Sequence, residues 1–141
     1  MTKKELAINK FKSEFGWIEN KFEILDLLAD GTPMEYHPIR LAKLPSAQNN
    51  IVWHPGVYVF FGNGSVYKVG VSVMNSRARV MEHLKVNTRK NGISIMDIKE
   101  AEDRSILLFN VKNPEDNHWL LALECFLEKE LDPLIKSDRI G

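Results

Sequence analysis

The apolar residues of the chain change their spacing along the sequence, and the change divides it into regions. Near the amino terminus, Leu6, Ile8, Phe11 and Phe15 alternate with polar residues. Because Thr2 and Glu5 form a capping box before them, the pattern predicts an amphipathic helix that ends near Gly16. Further apolar residues three to four apart predict a second helix over residues 17–29.

Four prolines, at positions 33, 38, 45 and 55, then predict an irregular connector with one short strand over residues 39–44. After the connector the pattern predicts two strands, a helix over 76–86, a strand over 105–111 and a helix over 115–131. The fold class expected from this order is α+β. We expect residues 1–50 to form a helical extension and connector, and residues 51–141 to form one compact domain.

The first two strands of this domain flank Gly62-Asn63-Gly64, a sequence typical of a tight hairpin turn. Period-two alternation places Gly56, Tyr58 and Phe60 on one face of the first strand. It places Val66, Lys68 and Gly70 on one face of the second strand, and Tyr67 on the opposite face. Tyr58 and Lys68 are therefore expected to lie close together across the hairpin.

The chain resembles the GIY-YIG nucleases in four motifs that occur in the order and spacing of that family. These are Gly56-Val57-Tyr58, then Lys68-Val69-Gly70, then Arg79 and His83 four residues apart, then Leu121-Ala122-Leu123-Glu124 with Pro133 nine residues later. The resemblance covers roughly residues 55–136. It implies a three-stranded antiparallel sheet flanked by helices, and a metal-dependent endonuclease.

By this resemblance the catalytic residues are Tyr58, Lys68, Arg79, His83 and Glu124, and Glu124 binds one Mg²⁺ or Mn²⁺ ion. Two positions depart from the family pattern. Lys68 replaces the second-motif tyrosine, as in the restriction-enzyme and phage-type branches. Lys136 occupies a position where relatives often have asparagine. The alternative function is a catalytically silent GIY-YIG-like module that binds nucleic acid or a protein partner.

Glu124 is the only charged residue of the segment Trp-Leu-Leu-Ala-Leu-Glu-Cys-Phe-Leu, residues 119–127. On a helix it shares an apolar face with Leu120, Leu127 and Leu131. A buried carboxylate requires a partner. That partner is either a divalent metal or an arginine, for which Arg77, Arg79 and Arg104 are the candidates.

Arg79 and His83 share one face of their predicted helix because they are four residues apart. Arg79 has the chemistry to hold a scissile phosphate, and His83 to orient water or exchange a proton. Tyr58 is the predicted activator of the nucleophile. Lys68 either stabilises its phenolate by charge or relays its proton, and the sequence does not separate these roles.

The chain has no net charge, but its charge is unevenly distributed. Residues 68–90 carry six basic groups and one acidic group. This excess favours local contact with phosphates, whereas the structural alternative is a solvated helix face. The predicted nucleic-acid-binding residues are Arg77, Lys85, Arg89 and Lys90.

Together these features predict hydrolysis of DNA phosphodiester bonds, with RNA not excluded. The apolar runs are all shorter than the roughly 20 residues needed to cross a bilayer. With a single cysteine, Cys125, interpreted as a small buried hydrophobe, this indicates a cytoplasmic protein without a membrane partner. The amphipathic helices of the first 50 residues suggest a homodimer that cuts both strands.

Overall fold

A computed structural model describes residues 1–41 and 51–137 of the chain. The helices are α1 (Lys3–Phe15), α2 (Tyr36–Leu41), α3 (Ser76–Val86) and α4 (Leu120–Leu131). The strands are β1 (Phe22–Asp26), β2 (Gly56–Gly62), β3 (Ser65–Ser72), β4 (Arg89–Lys90), β5 (Ile93–Ser94) and β6 (Ser105–Val111). Short 3-10 helices cover Gly16–Lys21, Ala29–Gly31, Ile51–Trp53, Ile95–Ile98 and Pro114–Trp119.

The main sheet has four antiparallel strands in the order β1-β6-β2-β3, and β4 and β5 form a separate hairpin. The α+β class is confirmed. The predicted number of three strands is wrong, because β1 lies within the predicted amino-terminal extension and pairs with β6. The amino-terminal region is thus part of the sheet.

The second predicted helix, over residues 17–29, is wrong. Residues 16–21 form a 3-10 helix and Phe22–Asp26 form β1. Phe22 packs in the core on one side of the sheet and Leu25 in the core on the other side. Residues three apart face opposite ways in a strand and the same way in a helix. A short segment buried on both sides therefore mimics helical spacing.

The predicted strand over 39–44 is also not observed. Ile39 lies in α2, which ends at Leu41, and residues 42–44 fall outside the described part of the chain. The helix over 76–86 and the strand over 105–111 are confirmed at both ends. The last helix begins later than predicted, since Pro114–Trp119 form a 3-10 helix before α4.

The β2–β3 hairpin is confirmed, with Asn63 and Gly64 both at positive φ in its turn. Its pairing shifts by one residue: Phe60 pairs with Lys68, but Phe61 pairs with Val66. This bulge moves Val66 to the face opposite Lys68 and brings Tyr67 into the core that contains Tyr58. The predicted faces of Val66 and Tyr67 are therefore wrong.

Helices cover both faces of the sheet. α1 and α4 pack over one face, through residues that include Phe11, Leu123 and Leu127. α3 covers the other through Val80, Met81 and Leu84. Within the described residues, no helix has the length and apolar character required to span a bilayer.

The apolar face of α1 is covered within its own chain, because Ala7, Phe11 and Phe15 are buried in the α4 side of the core. The structure therefore does not support a homodimer through this face. Cys125 is exposed, so its interpretation as a buried hydrophobe is wrong.

Candidate active site

Tyr58 occupies a slot created by the glycine of the second motif. Tyr58 pairs with Gly70 across the hairpin, and its ring lies over that glycine. A Cβ atom at Gly70 would overlap the Tyr58 hydroxyl and would lie 2.6 Å from its Cε2 atom. Tyr58 is only 2% exposed. The absence of a side chain at position 70 therefore fixes the place of the phenol.

Lys68 is the diagonal neighbour of Tyr58, since it pairs with Phe60 two residues further along β2. Residues two apart share a face of a strand. Tyr58 and Lys68 thus lie on the α3 face of the sheet, as the sequence predicts. Both also line one concavity.

The Tyr58 hydroxyl lies 2.7 Å from Nε2 of His83, and the other ring nitrogen of His83, Nδ1, lies 2.6 Å from Oγ1 of Thr88. The three side chains form a continuous hydrogen-bonded row. His83 is 3% exposed, and both of its ring nitrogens have partners. The row fixes the orientation of the imidazole between two hydroxyl groups.

Local sequence at both ends of α3 builds this arrangement. Asn75 caps the amino terminus, where its side chain accepts a hydrogen bond from the backbone N–H of Ala78. At the carboxyl terminus, Asn87 adopts a left-handed conformation, with φ of 48°. The chain then reverses so that the backbone N–H of Thr88 donates to the carbonyl of His83. This turn is what brings the Thr88 hydroxyl back to the imidazole.

The electrostatic environment keeps His83 neutral. Burial is the main cause that lowers its pKa from 6.5 to about 3, and the positive charges of Arg79 and Lys68 add to it. The pKa of Arg79 is raised, first by its hydrogen bond to Glu82 and also by attraction to Tyr58. Arg79 donates to Glu82 at 2.7 Å and remains about half exposed. Near neutral pH the site therefore contains a neutral imidazole beside two cations.

These side chains open onto a concavity of about 340 Å³. Its lining residues are Tyr58, Lys68, Gly70, Arg79, His83, Thr88, Arg89, Lys90, Ile135, Lys136 and Ser137. Five of them are basic and none is acidic. Such a lining attracts anions and disfavours a cationic ligand.

A larger concavity of about 480 Å³ lies between α1 and β1. Two lysines and two glutamates line it, so its charges are balanced. The concavity beside Tyr58 and His83 combines an excess of positive charge with a buried phenol and imidazole. We therefore place the candidate site in this concavity.

Of the predicted nucleic-acid-binding residues, the structure brings Arg89 and Lys90 into the concavity but not Arg77 or Lys85. Arg77 is 3% exposed, and its guanidinium stacks 3.4 Å from the centre of the Trp53 ring. Burial lowers the pKa of Arg77 to about 10. Arg77 therefore has a structural role, packed against Trp53. Lys85 is exposed on α3 outside the concavity.

Glu124 is buried, at 3% exposure, on the predicted face of α4 with Leu120, Leu127 and Leu131. It is not among the residues that line the concavity. The described residues also contain no group of three or more histidine, cysteine, aspartate or glutamate side chains arranged to hold a metal ion. Four of the five predicted catalytic residues, Tyr58, Lys68, Arg79 and His83, thus line the concavity.

Lys136, in the position of the family's asparagine, lines the concavity and donates hydrogen bonds to Asp132 and to the carbonyl of Pro133. Its neighbour Ser137 also lines the concavity and donates its backbone N–H to Oε1 of Glu128 at 2.8 Å. Lys136 therefore adds positive charge to the lining of the concavity.

Sequence reasoning missed Thr88 and the β4–β5 hairpin that follows it. A signal for the hairpin exists, since Asn91-Gly92 is a typical two-residue turn, and both residues have positive φ. Arg89 and Lys90 form β4, the first strand of this hairpin. Thr88 has no comparable signal, because its role depends on the left-handed turn at Asn87.

Comparison of the chain with family models, with curated proteins and with solved structures finds no significant match.

Proposed function

We propose that the chain is an endonuclease that hydrolyses DNA phosphodiester bonds, in line with its resemblance to the GIY-YIG nucleases. One observation carries the proposal: a buried phenol, hydrogen-bonded to a neutral imidazole, opens onto a concavity whose lining, among the described residues, has five basic residues and no acidic residue. Phosphoryl transfer requires cations around the phosphate and a group that prepares the attacking water.

In the proposed reaction, Arg79 binds a non-bridging oxygen of the scissile phosphate by charge-assisted hydrogen bonds. Lys68 and Arg79 favour the phenolate form of Tyr58, since a nearby positive charge lowers the pKa of a phenol from its usual value near 10. The phenolate removes a proton from water as the water oxygen attacks phosphorus. The bond from phosphorus to the leaving oxygen then breaks, and that oxygen gains a proton.

Arg89, Lys90 and Lys136 add three positive charges to the lining besides Lys68 and Arg79. A nucleic-acid strand supplies phosphates at regular spacing, so flanking phosphates are their proposed partners. These charges favour a polynucleotide over a mononucleotide as substrate.

Glu124, the carboxylate that the resemblance assigns to the metal ion, is buried and is not among the lining residues of the concavity. An Mg²⁺ ion held by one carboxylate needs water and substrate phosphate as its remaining ligands. The steps above involve only residues of the concavity, and metal ligation by Glu124 stays a prediction.

The test is an incubation of the purified chain with supercoiled plasmid in Mg²⁺, in Mn²⁺ and in EDTA. We expect nicked plasmid from the native chain and none from Tyr58→Phe or Arg79→Ala. Lys129→Gln, an exposed change on α4 outside the concavity, is the control that retains nicking. Loss of nicking in EDTA and in Glu124→Ala would support the metal site. Nicking of equal rate in EDTA would refute it, and preferential cleavage of RNA would change the substrate.

A second candidate is a nucleic-acid-binding module without catalysis, which the zero net charge and Lys136 in place of the usual asparagine favour. This module would bind DNA with the same dependence on Arg89 and Lys90. Removal of each phosphate contact reduces the slope of log affinity against log salt by about one. Binding with that salt dependence, and no nicking under any metal condition, would select this candidate.

A further inference from the structure

We infer that Thr88 is a positioning residue that holds His83 in the tautomer protonated at Nδ1, so that Nε2 accepts the proton of Tyr58. The inference deepens the proposed function and rests on it for the catalytic role. The tautomer itself is a property of the folded chain that does not depend on any reaction.

The direction of the hydrogen bonds follows from the donors around Tyr58. A phenol carries one proton, and the guanidinium of Arg79, which interacts with Tyr58, has only protons to donate. Nε2 of His83, at 2.7 Å from the hydroxyl, is the acceptor placed to receive the phenol proton. A neutral imidazole that accepts at Nε2 carries its own proton on Nδ1.

Thr88 completes this assignment. Its Oγ1 lies 2.6 Å from Nδ1 and accepts the Nδ1 proton. The backbone of Thr88 is held beside the imidazole, because its N–H donates to the carbonyl of His83 and its carbonyl accepts from the N–H of Ile95. Hydrogen bonds at both backbone groups thus fix Thr88 with respect to the imidazole.

Tyr58 and Thr88 both line the concavity, so both ends of the row reach the site proposed for the substrate. As Tyr58 loses its proton, the O–H bond of Tyr58 breaks and an Nε2–H bond forms. The Nδ1–H bond breaks, an Oγ1–H bond forms, and the original hydroxyl proton of Thr88 passes to water or to a phosphate oxygen. No group gains net charge except Tyr58 and the final acceptor.

This route agrees with the charges around the imidazole. Burial, followed by the positive charges of Arg79 on α3 and Lys68 on β3, lowers the pKa of His83, which makes the imidazolium form unfavourable. A relay through two neutral tautomers avoids that form. Removing the Thr88 hydroxyl blocks the relay at its outer end while Tyr58, Arg79 and Lys68 stay in place.

The experiment compares Thr88→Val, which replaces the hydroxyl by a methyl group of similar size, with Thr88→Ser, which keeps the hydroxyl. Long-range proton–nitrogen NMR of the His83 ring reports which nitrogen is protonated. We expect protonation at Nδ1 in the native chain and in Thr88→Ser, and a shift toward Nε2 protonation in Thr88→Val. Thr32→Val, which removes a threonine hydroxyl outside the concavity, is the matched control for the ring signals.

The second readout is the single-turnover rate of plasmid nicking. We expect Thr88→Val to lower it about 10- to 100-fold, the usual range for loss of an orienting partner, with unchanged DNA affinity and with the rate restored in Thr88→Ser. Protonation at Nε2 in the native chain, or an unchanged tautomer in Thr88→Val, would overturn the inference. A native chain that shows the expected tautomers but never nicks DNA would refute the nuclease and leave the positioning role of Thr88 standing.

Discussion

The cores on the two faces of the sheet differ in whether they adjoin a polar concavity. On the α1 and α4 side, β2 and β3 contribute apolar side chains to the core, among them Val57, Val59 and Val69. On the α3 side, Tyr58 and Phe60 also belong to an apolar core. This core, however, adjoins the row of hydrogen-bonded side chains that includes His83. One face is a closed core, and the other is a core that opens at its edge into the concavity.

This difference determines which face of the sheet can bind a phosphate. A dry core of close-packed aliphatic residues stabilises the chain but has no place for a phosphate. The α3 face has such a place because β3 is an edge strand and Gly70 presents no side chain beside Tyr58. We therefore expect substitutions on the two faces to separate stability from activity.

The largest expected effect is that of Tyr58→Phe, which removes only the hydroxyl that contacts His83. The nicking rate should fall by about 10²- to 10⁴-fold, because the proposed base is lost. The free energy of unfolding should change by only about 1 kcal/mol. Tyr67→Phe makes the same change in a buried tyrosine outside the concavity and should retain nicking. Equal losses in both variants would mean that the two tyrosines do not differ in role.

The opposite result is expected on the other face, for Leu127→Ala. Leu127 is fully buried between α4 and the sheet, so its truncation should lower the free energy of unfolding by about 2–5 kcal/mol. Nicking by the molecules that remain folded should be nearly unchanged. Leu121→Ala, half exposed on the same helix, is the control and should cost far less. Urea unfolding and nicking of the same preparations measure both quantities.

Gly70→Ala should lower both stability and activity, unlike the two preceding substitutions, each of which should lower mainly one of them. The added methyl group overlaps Tyr58, and overpacking of this kind costs about 1–3 kcal/mol. The displaced phenol should also lose its bond to His83, which lowers nicking. Gly16→Ala is the control, because Gly16 has negative φ and open space around its Cα. A Gly70→Ala variant as active as the native chain would show that the position of Tyr58 is not critical.

A pH dependence of stability is expected from His83. Its pKa is about 3 in the folded chain against 6.5 unfolded, so the unfolded chain binds an extra proton between these values. Stability conferred by the neutral ring is present above pH 6.5 and is lost as pH falls toward 3, by at most about 1.4 kcal/mol per pH unit. His83→Gln should flatten this slope, and His118→Gln, on the exposed surface, should not. Urea titrations from pH 4 to 7 measure the slopes, and parallel slopes for the native chain and His83→Gln would contradict the burial of a neutral ring.

Much of the site was predictable because it depends on local signals. The turn at Asn63-Gly64, the limits of α3 and the spacing of Arg79 and His83 follow from turn chemistry, capping and helical periodicity. The convergence of Tyr58, Lys68, Arg79 and His83 on one concavity agrees with the sequence-based prediction. Their catalytic roles stay predictions.

Other features were not predictable because more than one local pattern fits the same residues. The segment that forms β1 has helical spacing and is buried on both sides, and only its pairing with β6 selects the strand. Likewise, alternation along β3 holds only as far as the bulge that moves Val66 and Tyr67. Register is decided by the partner strand, which a local pattern does not contain.

Local signals in the sequence were enough to predict the β2–β3 hairpin and the capped helix α3 with Arg79 and His83 on one face. They also predicted that Glu124 is buried in an apolar stripe of α4. The contact of Arg77 with Trp53 and the contact of Tyr58 with His83 depend instead on tertiary packing. The physical reason is that backbone conformation follows from neighbours along the chain. The partner of a buried polar group, in contrast, comes from whichever element packs beside it.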